Sequence, residues 1–142
     1  MQKKKVLFIC IHNSARSQMA EEILRQLAGD RLETASAGLE PGKLNPLVSE
    51  VLKELNIDIS GKKTQSVADV LQRKTGYDFV ITVCDEASAE RCPVFPGKGQ
   101  RLHWNFADPS QFTGTPQERL AKTRHVRDQI RARLLQWLTE FK

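Results

Sequence analysis

Hydrophobic and polar positions follow two spacings along the chain, one typical of strands and one typical of helices. An unbroken apolar stretch follows the lysines near the N terminus and ends at Cys10, which predicts a buried strand over residues 5–10. Apolar residues then recur every three or four positions, which predicts a helix over residues 17–28. The same patterns predict further strands at residues 32–37, 77–84 and 101–104, and further helices that start after Asn45, Ser66 and Thr115.

This order of elements predicts an α/β fold. Strands that alternate with helices favour three layers, with a mainly parallel four-stranded sheet and helices on both of its faces. The 142 residues suit a single domain over residues 1–142. In such sheets ligands bind beyond the carboxyl ends of the strands. Two predicted strands end on Cys10 and Cys84, so we expect both thiols to face one crevice.

The charge of the chain restricts its partners only in combination with other features. The net charge of +5 suits nucleic acid, an acidic surface or a small oxyanion. Aromatic residues make up only 6% of the chain and no nucleic-acid-binding motif is present, so we expect no nucleic acid partner. No apolar run approaches the roughly 20 residues of a membrane span, and the N terminus lacks a signal-peptide pattern. We therefore expect a cytoplasmic protein whose cysteines stay reduced and which does not bind membranes.

The turn between the first strand and the first helix carries the candidate chemistry. It reads CIHNSARS, and a turn of this kind points backbone N–H groups and the positive end of the helix at one oxyanion. The guanidinium of Arg16 adds a fork for two anion oxygens, and the Ser17 hydroxyl can donate to Cys10, which the positive field favours as a thiolate. On position alone, Cys10 could equally be a small core residue. The expected oxyanion-binding residues are Ile11, His12, Asn13, Ser14, Ala15 and Arg16.

The turn resembles the P-loop that low-molecular-weight protein tyrosine phosphatases share with thioredoxin-coupled arsenate reductases. The resemblance implies a phosphotyrosine phosphatase I-like fold in which the cysteine attacks phosphorus or arsenic. In both groups a distant Asp-Pro supplies the acid that protonates the leaving oxygen, and ADPS places Asp108 in that position. An isolated Asp-Pro is more often a simple turn, so the assignment of Asp108 depends on the P-loop upstream.

The remaining cysteines separate the two activities. A phosphatase needs one thiol, whereas reduction of arsenate takes two electrons from a second thiol. The segment VITVCDEASAERCPVFPG is similar to the redox region of the thioredoxin-coupled reductases, and the whole resemblance runs from residue 6 to about residue 109. It implies that Cys84 attacks Cys10, and that Cys92 then attacks Cys84 to leave a Cys84–Cys92 disulfide for thioredoxin. Without the resemblance, Cys84 could pack in the core and Cys92 could be a loop thiol.

We therefore predict an arsenate reductase, with a low-molecular-weight tyrosine phosphatase as the alternative. Against the phosphatase, Tyr77 is the only tyrosine, so the chain lacks the tyrosine pair that those enzymes often carry beside the acid. We expect arsenate as substrate, phosphate or sulfate as analogues, and thioredoxin as reductant, with glutaredoxin or a small thiol left open. We expect a monomer with no organic cofactor and no resident metal.

A monovalent cation beside the P-loop is also left open. Some of the arsenate reductases that the chain resembles bind potassium there through Asn, Glu, Ser and Asp side chains. Asn13, Glu21 and Ser36 match, but the stretch GKKTQSV has no aspartate for the fourth position, and the cation stays unassigned.

Overall fold

The computed structural model describes residues 3–10, 15–39, 42–73, 76–83 and 99–140. Its strands are β1 (Lys4–Cys10), β2 (Leu32–Gly38), β3 (Phe79–Thr82) and β4 (Gln100–His103). Its helices are α1 (Arg16–Ala28), α2 (Pro46–Lys53), α3 (Val67–Gln72) and α4 (Pro116–Glu140), and a short 3-10 helix spans Pro109–Gln111. Among these residues, no helix combines the length and the apolar character needed to cross a membrane.

The described strands form one four-stranded sheet in the order β2-β1-β3-β4. All three strand pairs are parallel, with Cys10 beside Gly38 and Thr82 beside both Ile9 and His103. The chain leaves β1 toward one side of the sheet and returns for β3 on the other side. The crevice beyond β1 and β3 is therefore the switch point at which open α/β sheets bind ligands.

Alternate residues of β1 point into two different apolar layers. Phe8 and Cys10 belong to the larger layer, which includes residues of α1, α2 and α4. Leu7 and Ile9 belong to the smaller layer, which includes residues of α3. Helices thus cover both faces of the sheet, and the predicted α/β architecture is confirmed.

The predicted helix starts are confirmed by their capping contacts. The Asn45 side chain accepts a hydrogen bond from the Leu47 backbone N–H at 2.9 Å, with Pro46 in the first turn of α2. Thr115 and Glu118 form a reciprocal capping box at the start of α4, and Ser66 caps α3 by accepting from the backbone N–H of Asp69. These contacts join residues two or three positions apart, which is why a sequence pattern predicts them.

One strand is shorter than its sequence pattern predicts. The pattern predicts a strand over residues 77–84, whereas β3 begins at Phe79 and ends at Thr82. Before β3, the Asp78 carboxylate accepts a hydrogen bond from the Lys5 backbone N–H at 2.8 Å, so a side chain takes the place of a strand carbonyl there. Cys84, at the predicted end of the strand, lies outside the described residues.

Candidate active site

Cys10 is the last residue of β1 and lies on the side of the sheet that α1 covers. Its side chain is buried, and its Sγ atom lies 2.9 Å from the Oγ atom of Ser17. Ser17 is fully buried in the first turn of α1. The expected contact between the two side chains is therefore present, and when the thiol is ionised the hydroxyl is the donor.

The N terminus of α1 is favourable for an anion. Ala15 is the N-cap residue, and its side chain makes no capping hydrogen bond to the first turn. That turn contains no acidic residue either. Since a helix start carries partial positive charge, an anion placed just before the first turn of α1 would be stabilised by its N–H groups and by its dipole.

Arg16 joins this turn to the segment that carries the predicted acid. Its guanidinium is buried, and its Nη1 donates to the backbone carbonyl of Phe106, 90 residues away, at 3.2 Å. Its Nη2 lies 3.5 Å from the Oδ2 of Asp108. A buried guanidinium needs an opposite charge or hydrogen-bond acceptors, and Arg16 has both from this one segment. The structure thus brings Arg16 and Asp108 into one site, as the sequence predicts.

Aromatic packing fixes the strand that leads to the acid. Trp104 follows β4 directly and is buried against Phe8 and Trp137, with ring centroids 6.3 and 6.1 Å apart. The guanidinium carbon of Arg133 lies 4.7 Å from the centroid of the Trp104 ring. Asp108 itself is only 12% exposed. Asp108 is therefore held by a segment that packs against α4 and contacts Arg16.

Several predicted site residues lie outside the described part of the chain. They are four residues of the P-loop and the two further cysteines: Ile11, His12, Asn13, Ser14, Cys84 and Cys92. Their roles as oxyanion-binding residues and redox pair stay predictions. The described site contains a thiol, a hydroxyl, a guanidinium and a carboxyl group, a set that suits covalent chemistry on a tetrahedral anion. Within the described residues, no group of three or more His, Cys, Asp or Glu side chains is placed to hold a metal ion.

Lys62 is a residue that the sequence analysis did not connect with the site. Its Nζ atom lies 2.8 Å from the Oε1 of Glu21, and the Ser36 hydroxyl donates to the same oxygen. The signal in the sequence was Glu21 itself, a carboxylate on the buried side of α1. A buried carboxylate needs a cation, but no local pattern points to a lysine 41 residues away.

The known proteins that are similar to this chain include phosphatases and arsenate reductases. A sequence profile of the low molecular weight phosphotyrosine protein phosphatases matches residues 5–142. The arsenate reductase of Bacillus subtilis is 41% identical over 135 residues, which cover 94% of each protein. A solved arsenate reductase in the oxidized state aligns with a TM-score of 0.76 and 27% identity over 98% of this chain and 99% of its own. The thioredoxin-dependent arsenate reductase of Corynebacterium glutamicum aligns with a TM-score of 0.70 and 29% identity over 99% of this chain and 62% of its own.

Proposed function

Because the chain belongs to the low molecular weight phosphotyrosine protein phosphatase family, we propose that its thiol site performs covalent chemistry on an oxyanion, and that this chemistry is the reduction of arsenate to arsenite. The observation that carries the proposal is the arrangement around Arg16. The guanidinium lies 3.5 Å from the Asp108 carboxylate, and the next residue, Ser17, lies 2.9 Å from the Cys10 sulfur. These contacts support a site in which the thiol of Cys10 acts as nucleophile, Arg16 binds the anion and Asp108 is the acid. Arsenate reductases at about 40% identity favour arsenate as the anion.

The first chemical step is attack of the Cys10 thiolate on arsenic. A sulfur–arsenic bond forms, an arsenic–oxygen bond breaks, and the leaving hydroxyl group of the arsenate takes a proton from Asp108 to depart as water. Arg16 and the N–H groups at the start of α1 hold the remaining oxygens and their negative charge. The hydrogen bond from Ser17 stabilises the thiolate before attack. Phosphate and sulfate have the same tetrahedral shape and are expected to bind as analogues.

The reduction itself needs the two further cysteines. The Cys84 thiolate attacks the Cys10 sulfur, and the electron pair of the sulfur–arsenic bond passes to arsenic, which leaves as arsenite while a Cys10–Cys84 disulfide forms. Cys92 then attacks Cys84 and releases Cys10, so that the oxidising equivalents end in a Cys84–Cys92 disulfide. Thioredoxin is the proposed reductant of this disulfide, supported by the thioredoxin-dependent relative from Corynebacterium glutamicum. Such a relay needs a reducing compartment, so we expect it to operate in the cytoplasm. We expect the protein to act as a monomer.

Phosphomonoester hydrolysis is the second candidate function. The family profile that matches residues 5–142 is that of phosphotyrosine phosphatases, and Cys10, Arg16 and Asp108 suffice for hydrolysis through a phosphocysteine. Phosphomonoester hydrolysis gives no role to Cys84 or Cys92. The two functions therefore differ in their need for a second and a third thiol.

A coupled assay separates the two candidates. The purified protein is supplied with arsenate, thioredoxin, thioredoxin reductase and NADPH, and hydrolysis of p-nitrophenyl phosphate is measured on the same preparation. We expect sustained NADPH oxidation that depends on arsenate and is lost in Cys92→Ser, while slow ester hydrolysis is retained in that variant. Rapid ester hydrolysis without arsenate turnover would assign the site to phosphatase chemistry instead.

A further inference from the structure

Glu21 is the centre of a charge network behind the candidate active site. The side chain is 8% exposed and accepts hydrogen bonds on both oxygens. Lys62 and Ser36 donate to Oε1 at 2.8 and 2.5 Å, and Arg25 donates to Oε2 at 2.6 Å. Lys62 also lies 3.1 Å from the carboxylate of Glu22, which Arg25 contacts as well. Two carboxylates are thus balanced by two cations.

The network supports the elements that carry the site. Glu21 lies one turn of α1 after Ser17. Ser36 pairs in the sheet with Phe8, which is two residues before Cys10 at the end of β1. The segment that contains Lys62 is joined to β2 a few residues later. Gln65 donates from its side chain to the Ser36 carbonyl at 2.7 Å and accepts at its backbone carbonyl from Gly38 at 2.9 Å. Lys62 therefore connects this segment to α1 and β2 at the end of the sheet where Cys10 lies.

The residues present do not fit the potassium ion that the family resemblance raises. An ion in that position would need the Glu21 oxygen that faces Ser36. Here that oxygen accepts from both the ammonium of Lys62 and the hydroxyl of Ser36. The segment over residues 61–67 contains no aspartate, and its Lys62 contributes a positive charge at this place. A second positive charge at this oxygen would be repelled by the ammonium.

We propose that Lys62 is a positioning residue whose ammonium takes the place of a bound monovalent cation. It neutralises Glu21 from within the chain and so fixes the first turns of α1, which carry Arg16 and Ser17, without any ion from solution. The inference rests on the proposed function in one respect, namely that the positioned groups serve arsenate reduction. The charge replacement itself is independent of the reaction.

The replacement has a consequence for a variant that lacks the ammonium. Lys62→Ala leaves the buried Glu21 and its neighbour Glu22 with Arg25 as the one cation of the network, and a buried carboxylate whose charge is not fully balanced is destabilising. The space left by the side chain can then admit a small cation from solution. The variant is expected to bind potassium or ammonium where the wild-type protein does not.

The test compares melting temperature and kinetics in choline, potassium and ammonium chloride at equal ionic strength. For the wild-type protein, we expect the same Tm and the same kcat for arsenate in all three salts. For Lys62→Ala, we expect a lower Tm in choline that rises by about 4 °C in potassium or ammonium. Its kcat should fall about tenfold in choline, because site groups lose their positions, and should recover in the same two salts.

Matched variants complete the test. Lys63→Ala removes the exposed neighbouring lysine and should behave as wild type in every salt. The double variant Lys62→Met/Glu21→Gln removes both charges of the pair, so its Tm should not depend on the cation. This variant keeps the proposal testable if Lys62→Ala does not fold. A wild-type Tm or kcat that rises in potassium would overturn the proposal. A folded Lys62→Ala whose Tm does not rise in potassium or ammonium would also overturn it. So would a double variant whose Tm still depends on the cation. Since Tm needs no turnover, its cation response is interpretable even if the protein fails to reduce arsenate.

Discussion

At the scale of single residues, Arg16 does the most to define the site. It is buried at the start of α1, and through the Phe106 carbonyl and the Asp108 carboxylate it holds a segment 90 residues away. A lysine in its place would keep the charge but would lose the second donor arm. The contact of the Asp108 segment with the start of α1 thus runs through one guanidinium.

Asp108→Asn tests the role of the acid. The variant keeps the shape of the side chain but cannot donate a proton to the leaving oxygen, so we expect kcat for arsenate to fall by roughly 100-fold or more. Sulfate affinity, measured by calorimetry on the same protein, should not weaken, because the amide has the same shape as the carboxyl group and places no negative charge beside the anion site. Asp128→Asn, on the exposed side of α4, is the control. A large loss of sulfate affinity with little loss in kcat would show that Asp108 only positions Arg16.

At the scale of elements, α2 and α4 are joined by an ion-pair cluster. Glu54, the C-cap residue of α2, accepts hydrogen bonds from Arg124 at 2.7 and 2.8 Å and from Arg127 at 2.7 Å. Arg127 also donates to the Val51 carbonyl inside α2. Hydrogen bonds from Arg124 and then from Arg127 lower the pKa of Glu54 from 4.5 to about 2. The carboxylate is therefore stabilised in the folded protein.

The stability of the folded protein should depend on pH through this group. Because the pKa of Glu54 is lower in the folded than in the unfolded chain, its contribution is complete above about pH 4.5 and is lost as the pH falls toward about 2. The side chain is 38% exposed, so solvent screening reduces the contribution to about 1 kcal/mol. We expect Glu54→Gln to lower the free energy of unfolding by this amount at pH 7 and by much less at pH 3, measured by urea unfolding. Glu50→Gln, on the exposed side of α2, is the control, and an equal gap at both pH values would contradict the account.

Local contacts are the part of the fold and site that the sequence predicts well. The helix starts at Pro46 and Pro116 and the contact of Cys10 with Ser17 all arise within a few residues of chain. The bounds of β3 were wrong because they depend on pairing with β1 and on the contact of Asp78 with Lys5, 73 residues away. Lys62 was missed for the same reason, since its partner Glu21 is near in space and far in sequence.

At the scale of the whole molecule, the parallel sheet brings distant segments to one edge. The chain visits β2 on one side of β1 and β3 on the other, so β1 ends with Cys10 at the switch point and β3 ends beside it. The Asp108 segment follows β4 at the same edge. The sheet thus brings the ends of β1, β3 and β4 to the edge at which the proposed chemistry would take place.

A single turnover without thioredoxin tests the central claim, which is that arsenate is reduced at Cys10 with electrons from Cys84 and Cys92. Fully reduced protein is mixed with excess arsenate, arsenite is quantified, and the thiols are mapped by peptide mass spectrometry after alkylation. We expect one arsenite per protein molecule and a Cys84–Cys92 disulfide, with Cys10 returned to the thiol. Absence of arsenite, with all three cysteines alkylated, would contradict the assignment of this site to arsenate reduction.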